Sequence, residues 1–275
     1  MVYLIYNMYK QHSSYHYELR NDQLEEISFN VDTKNWALGD FVDIEGSGKN
    51  KVINKVKVPN NFFDFYPKSK KHPDQLKSEL LTYIKQINEP NYQILLEQLV
   101  VNNELFYTYP AAKKIHHAYI GGLCEHTLNM LALSDGYIKQ YNLDRDLLYT
   151  AIIFHDYGKI YEYANFGLTY SDEGSLLGHI VISNEHISIC ANHFNLDKQP
   201  ILMLKHLVLS HHGELSYGSP KPPMCKEAVV LHVLDDTDAQ INMIDQALEG
   251  VGANQFSSPI SLLDRRKFIN LKQED

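Results

Sequence analysis

Residues 1–60 show the alternation of hydrophobic and polar positions that is typical of short β-strands with one buried face. Turn residues at 21–22, 39–40 and 46–48 separate the alternating stretches, because Gly, Asn and Asp readily adopt turn conformations. The predicted strands are 15–19, 24–29, 41–45 and 52–58. About five strands in a segment of this length predict a small barrel or curled sheet.

Residues 61–109 show a different spacing, in which apolar residues recur with the period of a helix. One predicted helix covers 74–87 and follows Pro73, whose missing N–H is tolerated in a first helical turn. A second predicted helix covers 92–101. We interpret this segment as a helical neck between two domains.

Residues 110–275 are predicted to form a helical bundle with a C-terminal tail. Capping residues support the boundaries, since Asp144 can cap a helix start and Gly213 can end a helix. The five predicted helices are one that follows Gly122 and extends to Ile138, then 144–155, 176–194, 200–212 and 226–248. The chain is therefore expected to be mainly α, with domains at 1–60, 61–109 and 110–275.

The composition, with 44% hydrophobic and 21% charged residues, is that of a folded soluble protein. The sequence has no apolar run of about 18 residues, so we expect no membrane span. Its first residues lack the basic start and cleavage site of a signal peptide. The three cysteines, Cys124, Cys190 and Cys225, are odd in number and widely spaced, which favours free thiols and a cytoplasmic location.

The net charge of −9 argues against a general nucleic-acid scavenger, because phosphate binding depends largely on Lys and Arg. A nuclease remains compatible with it, since bound metal ions supply local positive charge. In the first 60 residues, aromatic side chains could stack on bases and lysines could follow a phosphate backbone. These residues are Tyr15, Tyr17, Trp36, Phe41, Lys49, Lys51, Lys55 and Lys57. The alternative is that they are core aromatics and a solvated lysine edge.

A buried run, Ala151–Phe154, leads directly to His155 and Asp156. A buried carboxylate needs a partner or a metal, because an unpaired one costs several kcal/mol. Each of five predicted helices offers such ligands, and imidazole with carboxylate is the ligand set of Fe, Mn, Zn or Ni sites. A plausible division assigns His126, His155, Asp156 and Asp235 to one ion, and Asp156, His179, His211 and His212 to a second. Asp156 would then bridge the two ions.

This pattern resembles the HD-domain metal-dependent phosphohydrolases, and among them most closely the YhaM-type 3′-to-5′ exoribonucleases. The stretches that carry the resemblance are PAAK at 110–113, HHAYIGGLCEHT at 116–127, HDYGK at 155–159, LGHI at 177–180, SHHG at 210–213, GSP at 218–220 and LHVLD at 231–235. The ordered set covers about residues 61–270. It implies an HD-domain bundle preceded by a small, reduced OB-like β domain, and self-assembly into a homo-oligomer.

The ligand set suggests two divalent ions, with Mn²⁺ expected ahead of Fe, Ni, Co or Zn. Two ions ~3.5–4 Å apart can activate a shared water and hold the phosphoryl oxygens during an in-line displacement. Lys159 could neutralise charge on the phosphate or serve only as a helix-terminal cation. His116 and His117 could bind the scissile phosphate, protonate the leaving oxygen, or merely order their loop.

Three further side chains are candidate substrate contacts: Ser219 in the GSP turn, Tyr119 and Trp36. Ser219 could equally be a plain turn residue. The favoured function is a metal-dependent phosphodiesterase that acts as a 3′-to-5′ exonuclease on single-stranded RNA, with DNA also open. The alternatives are an HD-type phosphohydrolase of a nucleotide or cyclic dinucleotide, and a binding or assembly module with a relic site.

Overall fold

The first 56 residues form a five-stranded antiparallel sheet in a computed structural model, which describes residues 1–46, 51–114 and 116–271. The strands are β1 (Val2–Gln11), β2 (Ser14–Arg20), β3 (Glu26–Val31), β4 (Phe41–Glu45) and β5 (Val52–Val56). Their order in the sheet is β3-β2-β1-β4-β5. The predicted sheet is confirmed. Most of the predicted turn at 46–48, Lys49 and tail residues 272–275 lie outside the described residues.

The central strand, β1, was not among the strands predicted from alternating hydrophobic and polar positions. Leu4 and Ile5 are neighbours and both are fully buried, so the strand lacks an alternating face. A register shift between Ile5 and Asn7 marks an irregularity of the β-bulge kind, which re-aims the side chains that follow it. Closure into an OB-like barrel stays a prediction, since no pairing joins β3 to β5 within the described part of the chain.

The two faces of the sheet pack against different surroundings. On one face Ile5 and Tyr17 form a separate cluster, with the Trp36 ring packed edge-on at 5.4 Å from the Tyr17 ring. The other face packs against the helical part through a second cluster that contains Leu4, Phe41, Phe65, Tyr66 and Ile120. This apolar contact fixes the sheet on the helical part.

The rest of the chain is mainly helical, as predicted. Its helices are α1 (Pro73–Ile84), α2 (Pro90–Leu96), α3 (Glu104–Thr108), α4 (Gly122–Tyr141), α5 (Arg145–Phe154), α6 (Lys159–Glu162), α7 (Asp172–His193), α8 (Lys198–Ser210) and α9 (Lys226–Leu248). A π-helical turn, Glu97–Val101, follows α2, and a small hairpin of β6 (Tyr163–Ala164) and β7 (Thr169–Tyr170) follows α6.

One predicted helix start is confirmed by its capping contact, and another lies earlier than predicted. The Asp144 side chain accepts a hydrogen bond from the backbone N–H of Leu147 at 3.0 Å, which caps α5. Helix α7 begins four residues before the predicted start, because Ser171 caps it through the Gly174 N–H at 2.8 Å. Its regular path is broken at Gly178, whose φ of 75° is accessible mainly to glycine.

One hydrophobic core runs through the whole helical part. It joins Leu76 and Leu80 of α1 and Leu95 of α2 to residues of α4, α5, α8 and α9. The segment predicted as a neck therefore packs as part of the same body as the later helices. The domain boundaries at 60 and 109 stay predictions.

Two expectations from composition can be compared with the structure. Among the described residues, no helix is both long and apolar enough to cross a membrane. All three cysteines are free, with Cys124 and Cys190 buried and Cys225 half-buried.

Candidate metal centre

The end of α5 places His155 and Asp156 in the interior of the helical part. The helix is buried from Leu147 to Phe154, so it ends inside the protein. At Gly158, in the turn that follows, a Cβ would lie only 2.2 Å from the carbonyl oxygen of His179. The backbone of the turn therefore packs directly on α7, which brings α7 within reach of Asp156.

Three helices supply the first group of candidate ligands, His126, His155 and Asp235. The Nε2 atoms of His126 and His155 lie 3.2 Å and 4.0 Å from the same Asp235 oxygen, Oδ1. Ligand atoms held at ~2.0–2.2 Å from one ion lie ~3–3.6 Å apart. The first group therefore has nearly the spacing of a metal site.

The second group of candidate ligands is His179, His211 and His212, from α7 and the end of α8. Their ligand atoms all lie within 4.8 Å of one another. The His211 ring is fully buried, whereas His179 and His212 are partly exposed. The two histidines that follow the last turn of α8 thus meet the histidine that follows the break in α7.

Asp156 lies between the two groups. Its Oδ2 atom is 3.3 Å from His155 Nε2 in the first group. Its Oδ1 atom is 3.4 Å from His179 Nε2 and 3.8 Å from His211 Nε2 in the second group. The structure therefore brings all seven predicted ligands together, with Asp156 in the position predicted for a bridge.

Each of the five candidate ligand histidines has its Nδ1 atom held by an acceptor. The acceptors are Asp238 for His126 (2.6 Å), Ile152 O for His155 (2.7 Å), Glu162 for His179 (3.1 Å), Val208 O for His211 (2.8 Å) and Tyr217 O for His212 (2.9 Å). Histidines that bind metals usually donate their other N–H in this way, which fixes the ring and the tautomer. Nε2 is thereby left free to bind an ion.

Five of the atoms that face the centre are buried without a hydrogen-bond partner. They are the Nε2 atoms of His126, His155, His179 and His211, and Oδ1 of Asp156. Buried polar atoms are rarely left unpaired, because each costs about 1–3 kcal/mol. The donor set and these unpaired atoms fit divalent first-row metal ions.

Burial and charge set the protonation of the centre when no metal is bound. Burial opposes ionisation of Asp156, but Lys159 and His155 outweigh it and lower the pKa of Asp156 well below its usual range. Burial lowers the pKa of both His211 and His212. His126 differs, because its carboxylate partners outweigh burial and raise its pKa to about 9. A metal ion at the first group would therefore have to displace a proton.

Lys159, the first residue of α6, is buried and lies against Asp156. Its Nζ donates to Asp156 Oδ2 at 2.5 Å. Burial lowers the pKa of Lys159, but the negative charge of Asp156 outweighs this and raises it above the usual value. Lys159 thus stays charged beside the carboxylate that joins the two groups.

The two loop histidines have different surroundings. Both ring nitrogens of His117 are engaged, Nδ1 with the Tyr119 hydroxyl at 2.7 Å and Nε2 with Asp238 at 2.8 Å. This geometry favours an ordering role for His117. His116 has a buried Nδ1 without a partner, and burial lowers its pKa to about 4. A neutral His116 can therefore hydrogen-bond to a ligand.

The three candidate substrate contacts are spread across the molecule. Ser219 is buried and its hydroxyl has no hydrogen-bond partner among the described residues. It lies two residues after Tyr217, whose carbonyl oxygen contacts His212. The Tyr119 hydroxyl contacts His117. Trp36 lies in the cluster on the far face of the sheet, with the buried Tyr17, as its core alternative anticipated. Their roles in binding stay predictions.

Two supporting carboxylates were not among the predicted site residues. Asp238 follows Asp235 by three residues on α9, a spacing that puts both on one helical face and could have identified it. Glu162 accepts from the backbone N–H of His179 at 2.9 Å as well as from its ring. Nothing in the local sequence identifies Glu162, because it reaches His179 across the hairpin.

A cluster of His117, His126 and Asp238 also has metal-like spacing. Its contacts of 2.8 Å and 2.6 Å are hydrogen-bond lengths, and they use the nitrogen of His126 that faces away from the first group. We interpret this cluster as the support of His126, not as a third metal site.

Comparison with known proteins gives one family match within the helical part and relatives that match most of the chain. Residues 123–240 match the HD domain family. The chain is 38% identical over 257 residues to the 3′-5′ exoribonuclease YhaM of Bacillus licheniformis, a match that covers 90% of this chain and 81% of that protein. It is 37% identical over 253 residues to the 3′-5′ exoribonuclease YhaM of Bacillus subtilis, with the same coverage.

A solved structure, the HD domain of the L. monocytogenes phosphodiesterase PgpH, is similar over 56% of this chain and 74% of that chain. Its sequence identity is 15% and its TM-score is 0.32, which is too low to carry an argument.

Proposed function

Since the chain belongs to the YhaM family of HD-domain proteins, we propose that this metal-dependent hydrolase removes nucleotides one at a time from the 3′ end of single-stranded RNA. The relatives supply the reaction and its direction.

The arrangement of unpaired ligand atoms around Asp156 is the observation that carries the proposal. The nitrogens of four histidines and one Asp156 oxygen are buried, unpartnered and aimed into one space. A folded protein keeps such atoms only where a ligand satisfies them or where strain is functional. We propose that two divalent ions do so, with Mn²⁺ ahead of Fe, Ni, Co or Zn.

When bound, such ions would activate water and stabilise the charge that develops on a phosphoryl group. His126, His155 and Asp235 would hold one ion, and His179, His211 and His212 the other. Asp156 would contact both, since its two oxygens face different groups.

The remaining side chains act on the substrate. Lys159 is charged and stands beside Asp156, where it can stabilise negative charge on the phosphate. His116 is neutral near pH 7 and offers an unpartnered nitrogen, which suits a hydrogen bond to a phosphate oxygen better than proton donation. Ser219 offers a buried hydroxyl without a partner, two residues after the Tyr217 carbonyl that holds His212 of the second group.

Three further properties belong to the same proposal. They are a preference for RNA over DNA, assembly into a homo-oligomer and a location in the cytoplasm, for which the three free cysteines are suited.

The test uses the Mn²⁺-loaded protein and 5′-labelled single-stranded RNA, with a strand blocked by a 3′-phosphate as control. We expect the labelled strand to shorten stepwise from its 3′ end. The double variant His155→Ala, Asp156→Ala serves as the inactive control. Absence of any strand cleavage by the wild type, or turnover of a cyclic dinucleotide alone, would contradict the proposal.

A further inference from the structure

A groove of about 840 Å³ lies between the sheet and the helical part. Its lining includes five cations, Arg20, Lys68, Lys70, Lys113 and Lys114, and we name it the lysine groove. We infer that the lysine groove binds the part of a single-stranded RNA that lies upstream of the phosphate being cleaved. This inference rests on the proposed function, to which it adds the place where the strand is held.

The cations of the lysine groove are mostly without carboxylate partners. Arg20 is paired with a glutamate at 3.5 Å and Lys68 with an aspartate at 2.6 Å, but within the described ranges Lys70, Lys113 and Lys114 form no ion pair. Lys114 donates to the side-chain oxygen of Asn7, at 3.1 Å. Burial, and then the nearby charge of Lys114, lower the pKa of Lys113. Unpaired cations crowded together favour binding of a polyanion.

Aromatic rings lie beside these cations, as a single-strand site requires. Tyr6 lines the groove, and the Arg20 guanidinium lies 4.2 Å from the centre of its ring. Phe166, in the loop of the hairpin, lines the groove as well and is only partly buried. Stacking of bases on aromatic rings, combined with a basic track, is how proteins bind single strands with little sequence preference.

Four carboxylates also line the groove. They are Asp245 of α9, Glu249 just after α9, Glu125 of α4 and Glu18 of β2. Carboxylates repel phosphates, so the backbone of a bound strand would follow the lysines. Five cations against four carboxylates leave the lining slightly basic in a chain whose net charge is −9.

A second cavity of about 480 Å³ adjoins the first, since Lys68, Ser69 and Lys70 line both. It adds Lys71, which is paired with Glu79 at 2.6 Å, and His72 to the lining. Sites for a single small molecule occupy about 300–1,000 Å³. Two adjoining cavities with cations along their shared border provide more length than one nucleotide needs, which favours a strand.

The lysine groove is connected to the metal centre by hydrogen bonds. Tyr119 lines the groove, and its hydroxyl contacts His117 at 2.7 Å. His117 contacts Asp238, which holds the ring of the ligand His126 at 2.6 Å. A strand held in the groove would therefore lie on the side of the metal centre where His117 and Asp238 support His126.

The face of the sheet that lines this groove is not the face that carries Trp36, the predicted substrate contact. Side chains alternate along β2, so Glu18 and Arg20 point to the groove while Tyr17 and Leu19 lie in the cluster on the far face. Trp36 belongs to that far cluster.

The test compares KM values of the Mn²⁺-loaded full chain for RNA strands of about ten nucleotides and for a dinucleotide, a range suggested by known site sizes. The variant Lys70→Glu, Lys114→Glu reverses two exposed groove charges. We expect KM for the long strand to rise about tenfold at physiological salt, and the salt dependence to weaken by about 0.7 per lost phosphate contact. The rise should shrink as the strand is shortened. The matched control, Lys139→Glu with Lys198→Glu, reverses two exposed charges outside the groove and should change neither KM.

An unchanged KM for the long strand, or an equal rise at both lengths, would overturn the lysine groove while leaving the proposed function intact. If the wild type cleaves neither strand, the proposed function fails. In that case fluorescence anisotropy with the uncleaved long strand tests the groove directly, and equal affinity of groove variant and control would overturn it.

Discussion

The first and second groups share Asp156, yet they differ in burial and in support. In the first group His126 and His155 are fully buried, and the Asp238 carboxylate that holds His126 is itself held by His117. In the second group His179, which is held by Glu162, and His212, which is held by a backbone carbonyl, are both partly exposed. A buried ligand set loses an ion more slowly than a partly exposed one. We therefore expect the ion of the second group to exchange first.

The largest expected effect comes from the residue that joins the groups. Asp156→Ala should remove both ions and lower kcat/KM by about 10³-fold, the equivalent of about 4 kcal/mol. It also leaves the buried Lys159 without its counter-charge, which should lower the free energy of unfolding by about 3–5 kcal/mol. Metal content by mass spectrometry and chemical denaturation measure the two effects.

The control is Asp156→Asn, which removes the charge but keeps the size of the side chain, and so separates loss of the charge from formation of a cavity. Retention of two ions per chain by Asp156→Ala would rule out the bridge.

Single-ligand variants should separate the groups. His126→Ala should lose the ion of the first group and His179→Ala chiefly that of the second, each with a loss of activity on the order of 10²-fold, about 2.7 kcal/mol. Titration with Mn²⁺ should then give one remaining site in each variant. Loss of both ions in both variants would mean that the groups act as one site and not as two.

Changes in the two carboxylates that hold the ligand histidines, Asp238 and Glu162, should have smaller effects. They test whether these hydrogen bonds contribute to a difference in metal affinity between the two groups. Asp238→Asn should weaken metal binding at the first group, and Glu162→Gln at the second, each by about 10–100-fold. We expect the larger loss for Asp238→Asn, because Asp238 contacts two imidazoles. Isothermal titration with Mn²⁺ measures both, and an equal or reversed order would contradict the comparison.

The smallest expected effect is that of a single pH unit on metal affinity. In the metal-free protein the pKa of His126 is raised to about 9, so below that pH a proton must leave before an ion binds the first group. Affinity there should rise about tenfold per pH unit up to about pH 9. Burial lowers the pKa of His211 and His212, so these rings are already neutral at pH 7. Mn²⁺ titrations at several pH values should show the first group, and not the second, gaining affinity between pH 7 and 9.

The candidate ligands could be selected from the sequence more readily than the residues that support them. His155 and Asp156 are adjacent after a buried helix, and such a pair is visible in the primary structure. The contact between Glu162 and His179 depends on the hairpin and on the positive φ of Gly178, neither of which has a local signal. Tertiary contacts of this kind are fixed by packing, which one sequence does not display.

The same contrast holds for the fold. Helices such as α5 and α9 could be located because capping and spacing are local properties. The central strand β1 could not, because a bulge and burial on both sides remove the alternation that identifies a strand. The lysine groove was also out of reach, since its lysines come from segments more than forty residues apart that meet only in the folded chain.

The position of Asp235 and Asp238 on α9 has a consequence for biosynthesis. His126 and Asp238 are 112 residues apart in the chain, so the helix that carries the first histidine leaves the ribosome long before its carboxylate partners do. Translation proceeds at about 5–20 residues per second, which leaves the nascent α4 without these partners for several seconds. The first group can be completed only after α9 has been synthesised, so we expect the proposed ion to be loaded there late in the maturation of the protein.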